Sequence, residues 1–124
     1  QMRFKNRYLS FQMITDPKHA RTIHEFLTPS HIATALKASL QTLFGDMGMG
    51  LTAALSVKYY SPMTGVGIVR VQRDMCKQVW AALTMLTEVQ GVKCLLSVFH
   101  VSGTIKQAQI STIQHDKDLL LKLK

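Results

Sequence analysis

Val57-Lys58-Tyr59-Tyr60-Ser61-Pro62-Met63-Thr64-Gly65-Val66-Gly67-Ile68-Val69-Arg70-Val71-Gln72 sets two runs of β-branched and aromatic residues on either side of a turn that contains Pro and Gly. Runs of this kind, separated by a few turn-forming residues, read as a β-hairpin, and Ser61-Pro62-Met63-Thr64-Gly65 supplies the turn chemistry. The first strand reads back to Leu51. Leu51, Ala53, Leu55, Val57 and Tyr59 fall on one side, and Ser56, Lys58 and Tyr60 on the other, as the period of two in a strand requires. The return strand runs from Val66 to Gln72.

Upstream of the hairpin, Thr28-Pro29-Ser30 has the form of a helix start, a hydroxyl cap followed by Pro in the first turn. Ile32, Ala35, Leu36, Leu40, Leu43 and Phe44 then recur at helical spacing, and Gly45 stops the helix. Residues 15–28 hold Asp16-Pro17, scattered charge and little periodicity, which predicts a loop. Residues 3–14 read as a strand. Downstream, a second helix is predicted from about Asp74 to Gln90. Met75, Val79, Leu83 and Leu86 lie on one stripe, Trp80 lies just beside it, and Gly91 ends it. Val92 to Val101 is almost continuously apolar, as in a strand covered on both faces. From Thr104 the pattern is helical again through Ile105, Ala108, Ile110 and Ile113. The order β-α-β-β-α-β plus a C-terminal helix is that of the α+β, ferredoxin-like (split βαβ) sandwich. It predicts two helices on one face of a four-stranded antiparallel sheet, with the extra helix over part of the other face. One domain is expected over residues 1–124.

With 47% hydrophobic and 18% charged residues the composition is that of a globular chain. Fifteen Lys and Arg against seven Asp and Glu give a net charge of +8 and a pI near 9.8. That excess on a small domain points to a polyanion as partner. No apolar run approaches the ~20 residues that span a bilayer, and the charged N-terminus lacks a signal-peptide pattern, so no membrane partner is expected. Cys76 and Cys94 stand in different elements without C-x-x-C spacing. A disulfide between them is left open, and buried reduced thiols are the expectation.

No catalytic constellation assembles. Asp16, Glu25, Asp46, Asp74, Glu88, Asp116 and Asp118 fall in loops, at helix ends or on polar helix faces. His19, His24, His31, His100 and His115 lack metal-ligand spacing. No catalytic or metal-ligating residue is therefore assigned. Val89-Gln90-Gly91-Val92 is similar to part of the acylphosphatase signature. It precedes the last strand, however, and continues as Lys93-Cys94 without the Phe-Arg of that family. Base stacking on an open sheet is disfavoured too, because the strand Val66-Gly67-Ile68-Val69-Arg70-Val71 has no aromatic residue.

The cations are better organised. Arg3, Lys5 and Arg7 alternate in Arg3-Phe4-Lys5-Asn6-Arg7-Tyr8-Leu9. On a strand they point the same way, about 6.5–7 Å apart per two residues. Arg70 and Arg73 end the third strand, Lys77 lies one turn into the next helix, and Lys106 opens the last helix. Just before it, Ser102-Gly103-Thr104 forms a turn where Gly admits close backbone approach and helix N–H groups face an anion. Ser102 and Thr104 have two open roles there, capping the helix or bonding a phosphate.

Arg3-Phe4-Lys5-Asn6-Arg7-Tyr8-Leu9 resembles the N-terminal signature of the eukaryotic "processing of precursors five" subunit family of ribonuclease P and ribonuclease MRP. Val57-Lys58-Tyr59-Tyr60, Gly67-Ile68-Val69-Arg70, Val79-Trp80-Ala81-Ala82-Leu83 and Val101-Ser102-Gly103-Thr104-Ile105-Lys106 are similar to further landmarks of that family, in the same order. The resemblance implies a non-catalytic, RNA-binding subunit that supports a catalytic RNA in tRNA 5′-leader removal and rRNA processing. No cofactor is bound by the protein itself in such a subunit, and magnesium is expected only at the catalytic RNA. The implied partners are RNase P RNA and/or MRP RNA, a TIM-barrel subunit of about thirty kilodaltons, a smaller ferredoxin-like relative, and precursor tRNA through the complex. Nucleus and nucleolus are the implied location. RNA contact is expected at Arg3, Lys5, Arg7, Lys58, Arg70, Arg73, Lys77, Ser102, Gly103, Thr104 and Lys106. Two alternatives from other classes are a structural dimerisation module without RNA contact and a small acylphosphatase-like hydrolase, since one fold hosts many functions.

Overall fold

A computed structural model describes residues 5–15, 27–45, 55–62 and 64–122. Their elements are β1 (Asn6–Thr15), α1 (Pro29–Phe44), β2 (Ser56–Tyr60), β3 (Val66–Gln72), α2 (Cys76–Met85, after a 3-10 turn at Arg73–Met75), β4 (Glu88–Val89), β5 (Val92–Ser102) and α3 (Ile105–Lys122). The strands make one antiparallel sheet in the order β2-β3-β1-β5-β4. Strand β1 is central, with Leu9 opposite both Val69 and Val101.

Alternation along β1 sorts the molecule into layers. Leu9, Phe11 and Met13 bury against one helical layer, with Val69, Val71 and Leu96 beside them. Opposite stand Ile32, Leu36 and Leu40 of α1 and Val79, Ala82 and Leu83 of α2, all fully buried. Each Val, Leu or Ile among them contributes about 1.5–3 kcal/mol on leaving water. Thr28 caps α1 as its sequence implies. Its hydroxyl accepts from the His31 N–H at 3.3 Å, and the Thr28 N–H donates back to His31 Nδ1 at 3.2 Å. Gly45 closes the helix, its N–H donating to the Gln41 carbonyl. On the other sheet face, Ser10 and Ile68 are buried as cross-strand neighbours. Helix α3 covers them, and among its described side chains those that bury are the small Ala108 and the polar Thr112. His115 ties it down, with Nε2 at 2.8 Å from Gln12 Oε1 and its ring stacked on Phe99 at a 3.9 Å centroid distance.

Four expectations need correction. The sheet has five strands, not four, because the second helix ends at Met85 and Glu88–Val89 adds an edge strand opposite Val92 and Lys93. Gln90 and Gly91, with φ of 53° and 78°, form its tight turn, the conformation that two-residue hairpins require. Gly91 thus turns a hairpin and does not end a helix. In β2 a bulge at Lys58 puts Val57 opposite Val69 but Tyr59 opposite Ile68. One extra residue flips every later side chain. Tyr60 is therefore the buried tyrosine, and Tyr59 is 42% exposed. Finally, β5 is covered on both faces only beneath α3. Farther along, Leu95 is 59% exposed beside Ile14 at 52%. Residues 51–54 of the expected β2, residues 16–26 of the loop expected at 15–28, and Arg3 lie outside the described residues.

Candidate nucleic-acid interface

Register brings the cations together. Asn6 pairs with Gln72 and Arg7 with Val71, while Tyr8 lies opposite both Arg70 and Ser102. The ladder continues one step further, since the Arg73 N–H donates to the Lys5 carbonyl at 2.8 Å. The start of β1 and the ends of β3 and β5 therefore share one end of the sheet. Helices α2 and α3 both begin there, so Lys77 and Lys106 come to the same end. Lys5, Arg73, Lys77 and Lys106 are exposed, and Arg7 and Arg70 are half-buried.

The group does not form a one-sided ladder. Arg7 has the same parity as Leu9 and Phe11 and lies on the side of α1 and α2. Arg70, opposite Tyr8, lies on the side of α3. The charges wrap the sheet end from both faces. Arg7 Nη1 donates to its neighbour's carbonyl, Asn6 O, at 2.9 Å. Its charge also acts on Cys76 at the start of α2, drawing the thiol down against the larger rise that burial imposes. Arg73 meets Asp74 at 3.9 Å with both side chains well exposed, an ion pair of little consequence for stability. Lys58 sits on the β2 bulge, two residues beyond Ser56, the partner of Arg70, so it borders the group.

In the Ser102-Gly103-Thr104 turn, the Thr104 hydroxyl accepts from the Gln107 N–H at 3.2 Å and caps α3. Ser102 is only 3% exposed, and its hydroxyl has no hydrogen-bond partner among the described residues. A Cβ on Gly103 would lie 3.8 Å from Arg7 Nη1, an ordinary contact, and would meet nothing else. The fold itself leaves room for a side chain here, and the glycine keeps the backbone open beside the guanidinium. Arg3 lies outside the described residues, and Trp80 is a feature that sequence reasoning set aside. Read as the neighbour of a core stripe, it is 43% exposed.

The segment Val89-Gln90-Gly91-Val92 is the β4–β5 turn. It lies at the end of β5 opposite to Ser102, away from the cations. Cys94 and Cys76 are free thiols, and burial is the main cause that pushes both up from their ordinary range. Among the described residues no group of three or more His, Cys, Asp or Glu is placed to hold a metal ion, and no helix is long and apolar enough to cross a membrane.

Fold and charge define a small basic α+β protein whose cations collect at one end of an antiparallel sheet. The model of the Rpp14/Pop5 family matches residues 7–113. The chain is 35% identical over 125 residues to the "Ribonuclease P/MRP protein subunit POP5" of Schizosaccharomyces pombe, covering 94% of this chain and 88% of that protein. It is 34% identical over 106 residues to the "Ribonuclease P protein component 2" of Pyrococcus abyssi, covering 86% and 82%. A chain in a cryo-EM structure of yeast ribonuclease MRP superposes with a TM-score of 0.63 at 10% identity, covering 100% of this chain and 99% of that one. That likeness is one of fold. The chain belongs to the Rpp14/Pop5 family, as its sequence landmarks imply.

Proposed function

We propose that this chain is a non-catalytic, RNA-contacting protein subunit of a ribonuclease P or MRP ribonucleoprotein, holding RNA phosphates at the cationic end of its sheet. One observation carries the reading: the strand register draws Lys5, Arg7, Arg70, Arg73, Lys77 and Lys106 to that end together with the starts of two helices. Clustered cations and the positive ends of two helices suit a polyanion backbone. The names of the relatives as subunits or components of ribonuclease P or MRP support the same role. The strands β2-β3-β1-β5 are read as a ferredoxin-like frame to which the β4 hairpin is added. In this reading the RNA supplies the chemistry and holds the magnesium, the protein positions the RNA for tRNA leader removal or rRNA processing, and precursor tRNA meets the protein only through the complex. A TIM-barrel subunit of about thirty kilodaltons and a smaller ferredoxin-like relative are the proposed protein partners, and the nucleus and nucleolus the proposed location. Arg3 joins the contact surface from its place beside Lys5 in the sequence. Gly103 and Thr104 line it, Lys58 borders it, and Ser102 supports the turn from below.

The test is binding of RNase P RNA and MRP RNA at several salt concentrations by the chain and by a Lys5→Ala/Arg7→Ala/Arg73→Ala variant. Each lost phosphate contact lowers the log–log slope by roughly 0.7–0.9. Weaker binding with a shallower slope is expected. A slope equal to that of the parent chain refutes the cationic end as the RNA contact.

A further inference from the structure

Helix α2 carries the only tryptophan of the chain, and its place has a use that core packing does not supply. The inner face of α2 is complete without it, since Val79, Ala82 and Leu83 are wholly buried while Trp80 keeps 43% of its surface in solvent. Residues three and four apart share a helix face. Lys77 therefore lies one turn before the indole on the exposed face. Thr84, whose hydroxyl donates to the Trp80 carbonyl at 3.0 Å, lies one turn after it. Cys76, also one turn before Trp80, lies where the Arg7 charge acts. The helix Cys76–Met85 contains no acidic residue. An exposed indole thus stands at the rim of the cationic end, on the side to which Arg7 belongs. A flat π surface next to cations fits an unpaired base whose own phosphates those cations hold, because stacking and backbone neutralisation act on adjacent parts of one strand.

We propose that Trp80 is a stacking platform for an unpaired nucleobase of the bound RNA; this rests on the phosphate-binding role given above. It adds a contact to bases that strand β3, which has no aromatic residue, does not offer.

Because Trp80 is the sole indole, the intrinsic fluorescence of the full chain reports this position directly. Two probes of equal charge separate base from backbone: a single-stranded oligoadenylate of about twelve nucleotides, and an abasic ribose-phosphate oligomer of the same length. Oligoadenylate is expected to quench the emission, while the abasic oligomer binds with the same salt slope and leaves the emission unchanged. Trp80→Leu is expected to lose roughly five- to a hundredfold in oligoadenylate affinity. Trp80→Phe keeps most of it, and both variants hold the abasic oligomer as the parent does, which also shows that they fold. Oligoadenylate binding without a change in emission overturns the proposal. So does an equal loss on both probes in Trp80→Leu. Unaltered oligoadenylate affinity in Trp80→Leu, with loss of a protein that co-purifies with the parent chain, assigns the indole to a protein partner and overturns it as well. Failure of both probes to bind refutes the phosphate-binding role itself, a result distinct from the others.

Discussion

Three glycines allow the closure of the β2–β3 hairpin onto β1 to be tested with an internal control. Gly65 has φ of +75°, and a Cβ built on it would lie 2.6 Å from the Met13 carbonyl oxygen. That backbone is not free to retreat, because the Met13 N–H donates to the Gly65 carbonyl at 2.8 Å. Gly91 has a similar φ of +78° but open space around it. Gly67 has no left-handed requirement, yet its Cβ would lie 2.5 Å from Phe11 Cζ and 2.8 Å from the Tyr59 carbonyl oxygen. An alanine held in the left-handed region costs about 1–2 kcal/mol, less about 0.4–1 kcal/mol regained from the stiffer unfolded chain. Forced overlap in a packed region costs about 1–3 kcal/mol. Gly91→Ala is thus expected to destabilise by about 1 kcal/mol, Gly67→Ala by about 1–2, and Gly65→Ala, which combines both effects, by about 2–4. Equilibrium urea unfolding followed by far-UV circular dichroism reads these differences. With m of about 2 kcal/mol per molar, the Gly65→Ala midpoint falls by about 1–2 M at constant m. Equal midpoints for Gly65→Ala and Gly91→Ala refute the reasoning, because the Met13 carbonyl then adds nothing to the backbone strain.

Other outcomes follow from single sites. Leu36 is fully buried between helix and sheet, so Leu36→Ala is expected to cost about 2–5 kcal/mol in the same unfolding assay. The buried Tyr60 hydroxyl, pushed up to about 12 chiefly by desolvation, stays protonated in the folded chain where the unfolded chain ionises. The stability it contributes is full below pH 10 and is lost as pH rises from 10 toward 12. Tyr60→Phe is expected to reduce that alkaline fall in melting temperature, and an identical pH profile refutes it. Gly103→Ala meets only Arg7 Nη1 at 3.8 Å, so its unfolding free energy is expected within about 0.5 kcal/mol of the parent, with any loss confined to RNA affinity in a filter-binding assay. His115→Ala removes the bond to Gln12 and the stack on Phe99. It is expected to speed amide exchange along α3, with the helices α1 and α2 unaffected.

Much of the frame was legible because its signals are local. Thr28-Pro29 announces a capped helix, the stripe of Ile32, Leu36 and Leu40 names its buried face, and Ser61 to Gly65 marks the hairpin turn. What escaped is decided across the sheet. Nothing in Thr87-Glu88-Val89-Gln90 opposes a helix strongly, but pairing with Val92 and Lys93, reinforced by the Cys94 N–H on the Thr87 carbonyl at 2.9 Å, makes it an edge hairpin. Alternation set Tyr59 on the side of Leu55 and Val57 because it assumed an unbroken period, and the bulge at Lys58 hands that place to Tyr60. A second bulge leaves Phe99 without a partner on β1 and free to stack on His115.

The candidate site divides in the same manner. Residue types and their spacing along the chain were enough to predict a basic α+β protein and to single out Lys5, Arg7, Arg70, Arg73, Lys77 and Lys106, and the resemblance of its landmarks pointed to the family. Periodicity, capping and net charge depend on near neighbours in the chain, and the sequence states those in full. Only the tertiary structure decided that these cations meet at one sheet end from two faces, that Ser102 lies beneath the surface and that Trp80 remains uncovered. Each of those facts depends on which residues, distant along the chain, are set opposite one another. Strand register, bulges and the docking of α3 make that choice, and no local pattern encodes it.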